Sequence, residues 1–120
     1  MSTVLVVEDS LTDTEVLTRY LKQIGLTVVS VASGEEAEAK LRQQKPDLVI
    51  LDVILPGQSG FELCHHLKTN EDTKQIPVVI CSSKGTEVDQ LWGSLLGANA
   101  YLAKPVDRQK LMQIVQQFIT

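Results

Sequence analysis

The chain has only two cysteines, Cys64 and Cys81, without C-x-x-C spacing and without a histidine pattern beside them that would complete a zinc site. A disulfide framework and a structural zinc are therefore excluded, and the two read as small core thiols in a reducing compartment. No apolar run approaches the roughly 18 residues of a membrane-spanning helix. Met1-Ser2-Thr3 enters Val4-Leu5-Val6-Val7 with no basic flank or small-residue cleavage site, so the expectation is a cytoplasmic protein with no membrane association. Basic residues are in the minority, 11 against 15 acids for a net charge of −4 and a pI near 5.1, and they are scattered. Without a basic patch, direct nucleic-acid binding is excluded. Neither G-x-G-x-x-G nor G-x-x-x-x-G-K-[ST] occurs, which removes the dinucleotide and P-loop classes. No repeat, linker or low-complexity segment interrupts the 120 residues, and residues 1–120 are expected to form one domain, too short for a second catalytic one.

What is present is an alternation. Five β-rich runs, 3–7, 27–31, 48–51, 78–81 and 100–103, are each followed by apolar residues at helical spacing. Thr12 with Glu15, Ser33 with Glu36 and Ser59 with Glu62 have capping-box spacing, and Thr86 and Asp107 are candidate caps for the last two helices. Gly25 and Gly97 are helix stops. The fourth helix carries a narrow apolar stripe, Val88, Leu91, Trp92 and Leu95, on which Trp92 is expected to pack into the core, the alternative being direct partner contact. Strands alternating with helices over short connections predict an α/β fold, a doubly wound five-stranded parallel sheet with five helices.

The unbroken run Leu48-Val49-Ile50-Leu51 reads as a central strand covered on both faces, and it ends in Asp52. Glu8 and Asp9 end the first strand, Ser82 the fourth and Lys104 the fifth. In such sheets these ends meet on one edge, where ligands bind. Neighbouring carboxylates repel unless one is protonated or a hard cation lies between them, and Mg²⁺ suits the set because it takes one or two carboxylates and leaves places for phosphate oxygens. Lys104 adds a mobile positive charge and Ser82 a hydroxyl, so the constellation reads as a phosphoryl site with Asp52 as nucleophile. Singly, each residue has a plainer role: an acid caps a helix, a serine makes a turn, a lysine is solvated. His65 and His66, with no partner at metal spacing, read as an exposed helix face.

Glu8-Asp9, Asp52 with Pro56 and Gly60, Ser82, and Tyr101 with Lys104-Pro105 together resemble the two-component response-regulator receiver domain, the CheY-like (flavodoxin-like) fold with strand order 2-1-3-4-5. The resemblance covers essentially the whole chain. Leu91-Trp92-Gly93, Gly97-Ala98 and Tyr101 to Val106 look most like the PilH-type regulators of twitching motility and phototaxis. The resemblance implies that Asp52 accepts a phosphoryl group from a CheA-like or hybrid sensor histidine kinase. It further implies that Glu8, Asp9, Asp52 and the Ile54 carbonyl hold Mg²⁺, and that Ser82, Tyr101 and Lys104 read the phosphate. The peptide before Pro105 is expected to be cis. The output would be docking of a protein target on the face of helix four, strand five and helix five, and the only catalysis that of the chain's own phosphorylation and dephosphorylation. Ile54 and Lys84 depart from the commonest family patterns, and both flank the path of the attacking water. The rival reading is a pseudo-receiver, an interaction module that keeps the fold without phosphoryl turnover; its mark would be a lost acid or lysine, and all are here.

Overall fold

The computed structural model describes residues 2–119. The strands are β1 (Thr3–Val7), β2 (Thr27–Val31), β3 (Leu48–Leu51), β4 (Val78–Ser82) and β5 (Ala100–Ala103), and each is followed by one helix: α1 (Leu11–Gln23), α2 (Gly34–Gln43), α3 (Gly60–Thr69), α4 (Glu87–Leu95) and α5 (Arg108–Phe118). All pairings are parallel and the order is β2-β1-β3-β4-β5. No helix among the described residues is long and apolar enough to cross a membrane.

The composition of each strand matches its place. β3 is fully buried at all four residues, because helices cover both its faces. Burying each such side chain contributes roughly 1.5–3 kcal/mol. Edge strand β2 instead exposes Thr27 and Ser30. Alternate residues of the central strands feed two cores. On one face Val4, Val6, Leu48, Ile50, Val79 and Cys81 pack with Leu17 and Leu21 of α1 and with Leu111 and Val115 of α5. On the other, Leu5, Val7, Val49, Leu51 and Ile80 meet Leu41 of α2 and Leu63 and Leu67 of α3. Cys64 and Cys81 are free and buried, and burial pushes their thiols up to about 11 and about 12.

Two expectations are corrected. The cap of α1 is Ser10, whose Oγ accepts from the Asp13 N–H at 3.3 Å; Thr12 already lies inside the helix, and no Thr12–Glu15 box forms. Ser10 leaves β1 in extended conformation, so the helix starts as soon as the strand allows. The second correction concerns α4. Only Gly93 of this helix is buried, and Val88, Leu91, Trp92 and Leu95 are 76, 62, 52 and 70% exposed. The stripe is real, but it faces solvent. A Cβ on Gly93 would stand 3.0 Å from Ile80 Cδ1 and 3.3 Å from Tyr101 Cδ2, so α4 touches the sheet through its one residue without a side chain.

Candidate functional site

Register brings the strand ends together. Val7 pairs with Leu51, Leu51 with Ile80 and Ser82 with Ala103, so Glu8, Asp52, Ser82 and Lys104 leave the sheet on one edge. The backbone continues the ladder: the Asp52 N–H donates to the Val7 carbonyl, and the Lys104 N–H to the Ser82 carbonyl, both at 3.0 Å. The loop after Asp52 is pinned by Gly60, which donates to the Val53 carbonyl at 2.8 Å. A Cβ at Gly60 would lie 1.8 Å from the Asp52 carbonyl oxygen, so only glycine lets α3 begin against the backbone of Asp52.

At the centre of the edge stands Lys104. Its Nζ donates to Glu8 Oε1 at 2.6 Å, Asp13 Oδ2 at 2.8 Å and Asp52 Oδ2 at 3.0 Å. An ammonium has three donors, and each is spent on a different carboxylate. Glu8 and Asp52 are buried; Asp13 is the solvated member. Glu8 Oε2 accepts from the Ser10 N–H at 3.1 Å, and Asp52 Oδ1 from the Ile54 N–H at 3.3 Å. Burial works to lower the Lys104 pKa, but the hydrogen bonds to Asp13, Glu8 and Asp52 outweigh it, and the net shift is upward. For Glu8, burial raises the pKa and outweighs the opposing bonds to Lys104 and Ser10. Both directions follow from one arrangement: three acids share one ammonium, which keeps its proton, and the acid with least water gives its own up reluctantly.

The remaining candidates flank this centre. Asp9 is exposed and makes no hydrogen bond or ion pair among the described residues. Ile54 is exposed, and Lys84 is too. Ser82 is fully buried, with its Oγ accepting from the Lys84 N–H at 3.2 Å. The Tyr101 hydroxyl donates to the Lys84 carbonyl while the Lys84 N–H donates to Ser82 Oγ, so the two side chains hold the same residue of the β4–α4 loop. Burial, then the charge of Asp89, moves the Tyr101 hydroxyl up from its ordinary value. The Lys104-Pro105 peptide is cis. His65 and His66 are exposed; His66 Nδ1 lies 3.1 Å from Gln58 Nε2 and 3.4 Å from Glu38 Oε1, away from the Lys104 cluster.

Asp13 is the member that sequence reasoning missed. Its signal was the spacing Ser10-x-x-Asp13, a capping serine with an acid three residues on, which puts a carboxylate in the first turn of α1 over the end of β1.

A parallel sheet with acids at the ends of its first and third strands and a lysine at the end of its fifth defines a receiver. The chain matches the response regulator receiver domain over residues 4–116 and belongs to that family. It is 38% identical over 115 residues to the protein PilH of Pseudomonas aeruginosa, across 96% of this chain and 95% of that protein. Among solved structures, a putative response regulator from Chloroflexus aurantiacus superposes with a TM-score of 0.94 at 37% identity, covering 98% of this chain and 96% of that one. The receiver domain of the sensor histidine kinase PA1611 of Pseudomonas aeruginosa superposes at 0.89 with 28% identity, covering 98% and 97%, and it has a magnesium ion coordinated in its active-site cleft.

Proposed function

We propose that this receiver accepts one phosphoryl group on Asp52 from the phosphohistidine of a CheA-like or hybrid sensor kinase and passes the signal to a protein target. The observation that carries the reading is the Asp52 carboxylate, 7% exposed at the end of β3 and held by the Lys104 ammonium. An Asp52 carboxylate oxygen attacks phosphorus, the P–N bond to the histidine breaks, and the released imidazole nitrogen keeps the electron pair and takes a proton. Lys104 then exchanges an Asp52 oxygen for a phosphoryl oxygen, since esterification removes the carboxylate charge it was paired with. Ser82, on the neighbouring strand end, offers its hydroxyl to the same group, drawing on the loop that Tyr101 also grips.

Mg²⁺ is the cofactor that fits. Among the described residues no three His, Cys, Asp or Glu side chains form a closed metal cage, and Mg²⁺ needs none, being held by one or two carboxylates with water completing its shell. Asp9 and Asp52 would be its ligands with the Ile54 carbonyl, and Glu8 would hold its water; the ion held there would supply charge neutralisation for the transferring phosphoryl group. The magnesium ion in the PA1611 receiver supports this choice.

The exposed apolar face of α4 supports a protein partner, since large apolar side chains grouped on one face mark interaction surfaces. Likeness to PilH supports a place in motility or taxis signalling in the cytoplasm. The test of the acceptor is intact mass after incubation with acetyl phosphate and Mg²⁺: the wild type gains one phosphoryl group and Asp52→Asn none. Equal gain by Asp52→Asn would remove Asp52 from its role.

A further inference from the structure

We propose that Asp13 is a positioning residue that keeps Lys104 available while a divalent cation holds Asp9 and Asp52. The inference rests on the Mg²⁺ reading given above. Lys104 Nζ is shared among Glu8, Asp13 and Asp52 at 2.6, 2.8 and 3.0 Å, so the ammonium stands on two of the acids that would serve the cation or its water. Lys104 and a cation therefore compete for Glu8 and Asp52. A largely buried ammonium that loses acceptors without replacement carries a desolvation cost, and that cost opposes cation binding.

Asp13 is built to remove this obstacle. It comes from α1, not from a strand end, and its carboxylate side is 38% exposed, against 3% for Glu8 and 9% for Asp52. Lys104 can rest on Asp13 with water at its other donors, stay charged, and remain beside Asp52 for the arriving phosphoryl group. The plainer role for an acid in the first turn of a helix is to balance the helix dipole. That role needs only a charge, whereas here the side chain's partner is an ammonium 91 residues away in the chain. Asp13 thus acts through Lys104: with Asp13 present the ammonium yields to the cation, and without it the ammonium stays on Glu8 and Asp52.

The test is a double-mutant cycle read by Mg²⁺ affinity from calorimetry at about 0.15 M salt, where exposed charges are largely screened beyond about 8 Å. Asp13→Asn weakens Mg²⁺ binding about 10-fold, the lower end of effects that follow loss of a group orienting metal ligands, and Asp13→Glu restores most of it. Lys104→Met tightens binding by removing the competitor, and in that background Asp13→Asn changes affinity less than about 2-fold. Lys104→Gln is the second background, should the methionine disturb folding. The ¹⁵N shift of Lys104 Nζ moves on adding Mg²⁺ in the wild type and moves less in Asp13→Asn. A loss of equal size in both lysine backgrounds would make Asp13 a plain field charge, and no loss in either would leave it to the helix dipole; each overturns the inference. Saturable wild-type binding that Asp9→Asn abolishes keeps the metal reading when the inference fails, while no saturable wild-type binding overturns both.

Discussion

Helices α3 and α4 are alike in length, cap and apolar patterning and opposite in burial. They have 10 and 9 residues, each opens on a hydroxyl cap, Ser59 or Thr86, and each carries an apolar stripe. α3 buries Leu63, Cys64 and Leu67 against the sheet, whereas α4 buries Gly93 alone and turns Val88, Leu91, Trp92 and Leu95 outward. The difference lies in what each helix faces. α3 lies over β3 and β4, whose residues present a deep apolar surface, and its start is locked to Asp52 through Gly60. α4 sits by the edge strand β5, whose residues on that face, half-buried Tyr101 and small, exposed Ala103, leave little to pack on. One helix is anchored at the Asp52 pocket, and the other leaves its apolar face in solvent.

That contrast predicts stabilities. Leu63→Ala removes a fully buried side chain and should cost about 2–5 kcal/mol in urea unfolding. Gly93→Val comes next: its side chain must push aside Ile80 and Tyr101, for a loss of about 1–3 kcal/mol, and the change should disturb α4 while sparing the Asp52 pocket. Leu95→Ser, though it removes a leucine as large as Leu63, should stay within about 0.5 kcal/mol and instead weaken docking of the target. Comparable losses for Leu63→Ala and Leu95→Ser would mean that α4 is packed in solution and would dissolve the comparison.

How much of this could be read from the residues alone follows the same line. Strand positions were legible because β3 and β4 are continuous apolar runs and Thr27 to Val31 is rich in β-branched residues. The caps at Ser33, Ser59, Thr86 and Asp107 were legible because a hydroxyl or acid opens each helical pattern. The start of α1 was not, since Ser10 and Thr12 both have cap chemistry and only the exit direction of β1 decides between them. With the wrong cap, Asp13 became an anonymous helix residue, and its bond to Lys104, made across the whole chain, left no local trace. The orientation of α4 was hidden for a related reason: periodicity shows that a helix has two faces, and only the neighbouring surface determines which one is covered. The same holds for Tyr101, whose bond to the Lys84 carbonyl depends on a loop path that no spacing rule describes.

On the proposed function, charge arriving at Asp52 is felt at the open face of α4 through Ser82, the β4–α4 loop and Tyr101. Trp92, the only tryptophan and 52% exposed on that face, is the probe for it. Its fluorescence should change little when Mg²⁺ alone is added and clearly when beryllofluoride follows, with the second change weakened in Ser82→Ala. A full response to Mg²⁺ alone, or an undiminished beryllofluoride response in Ser82→Ala, would contradict the claim.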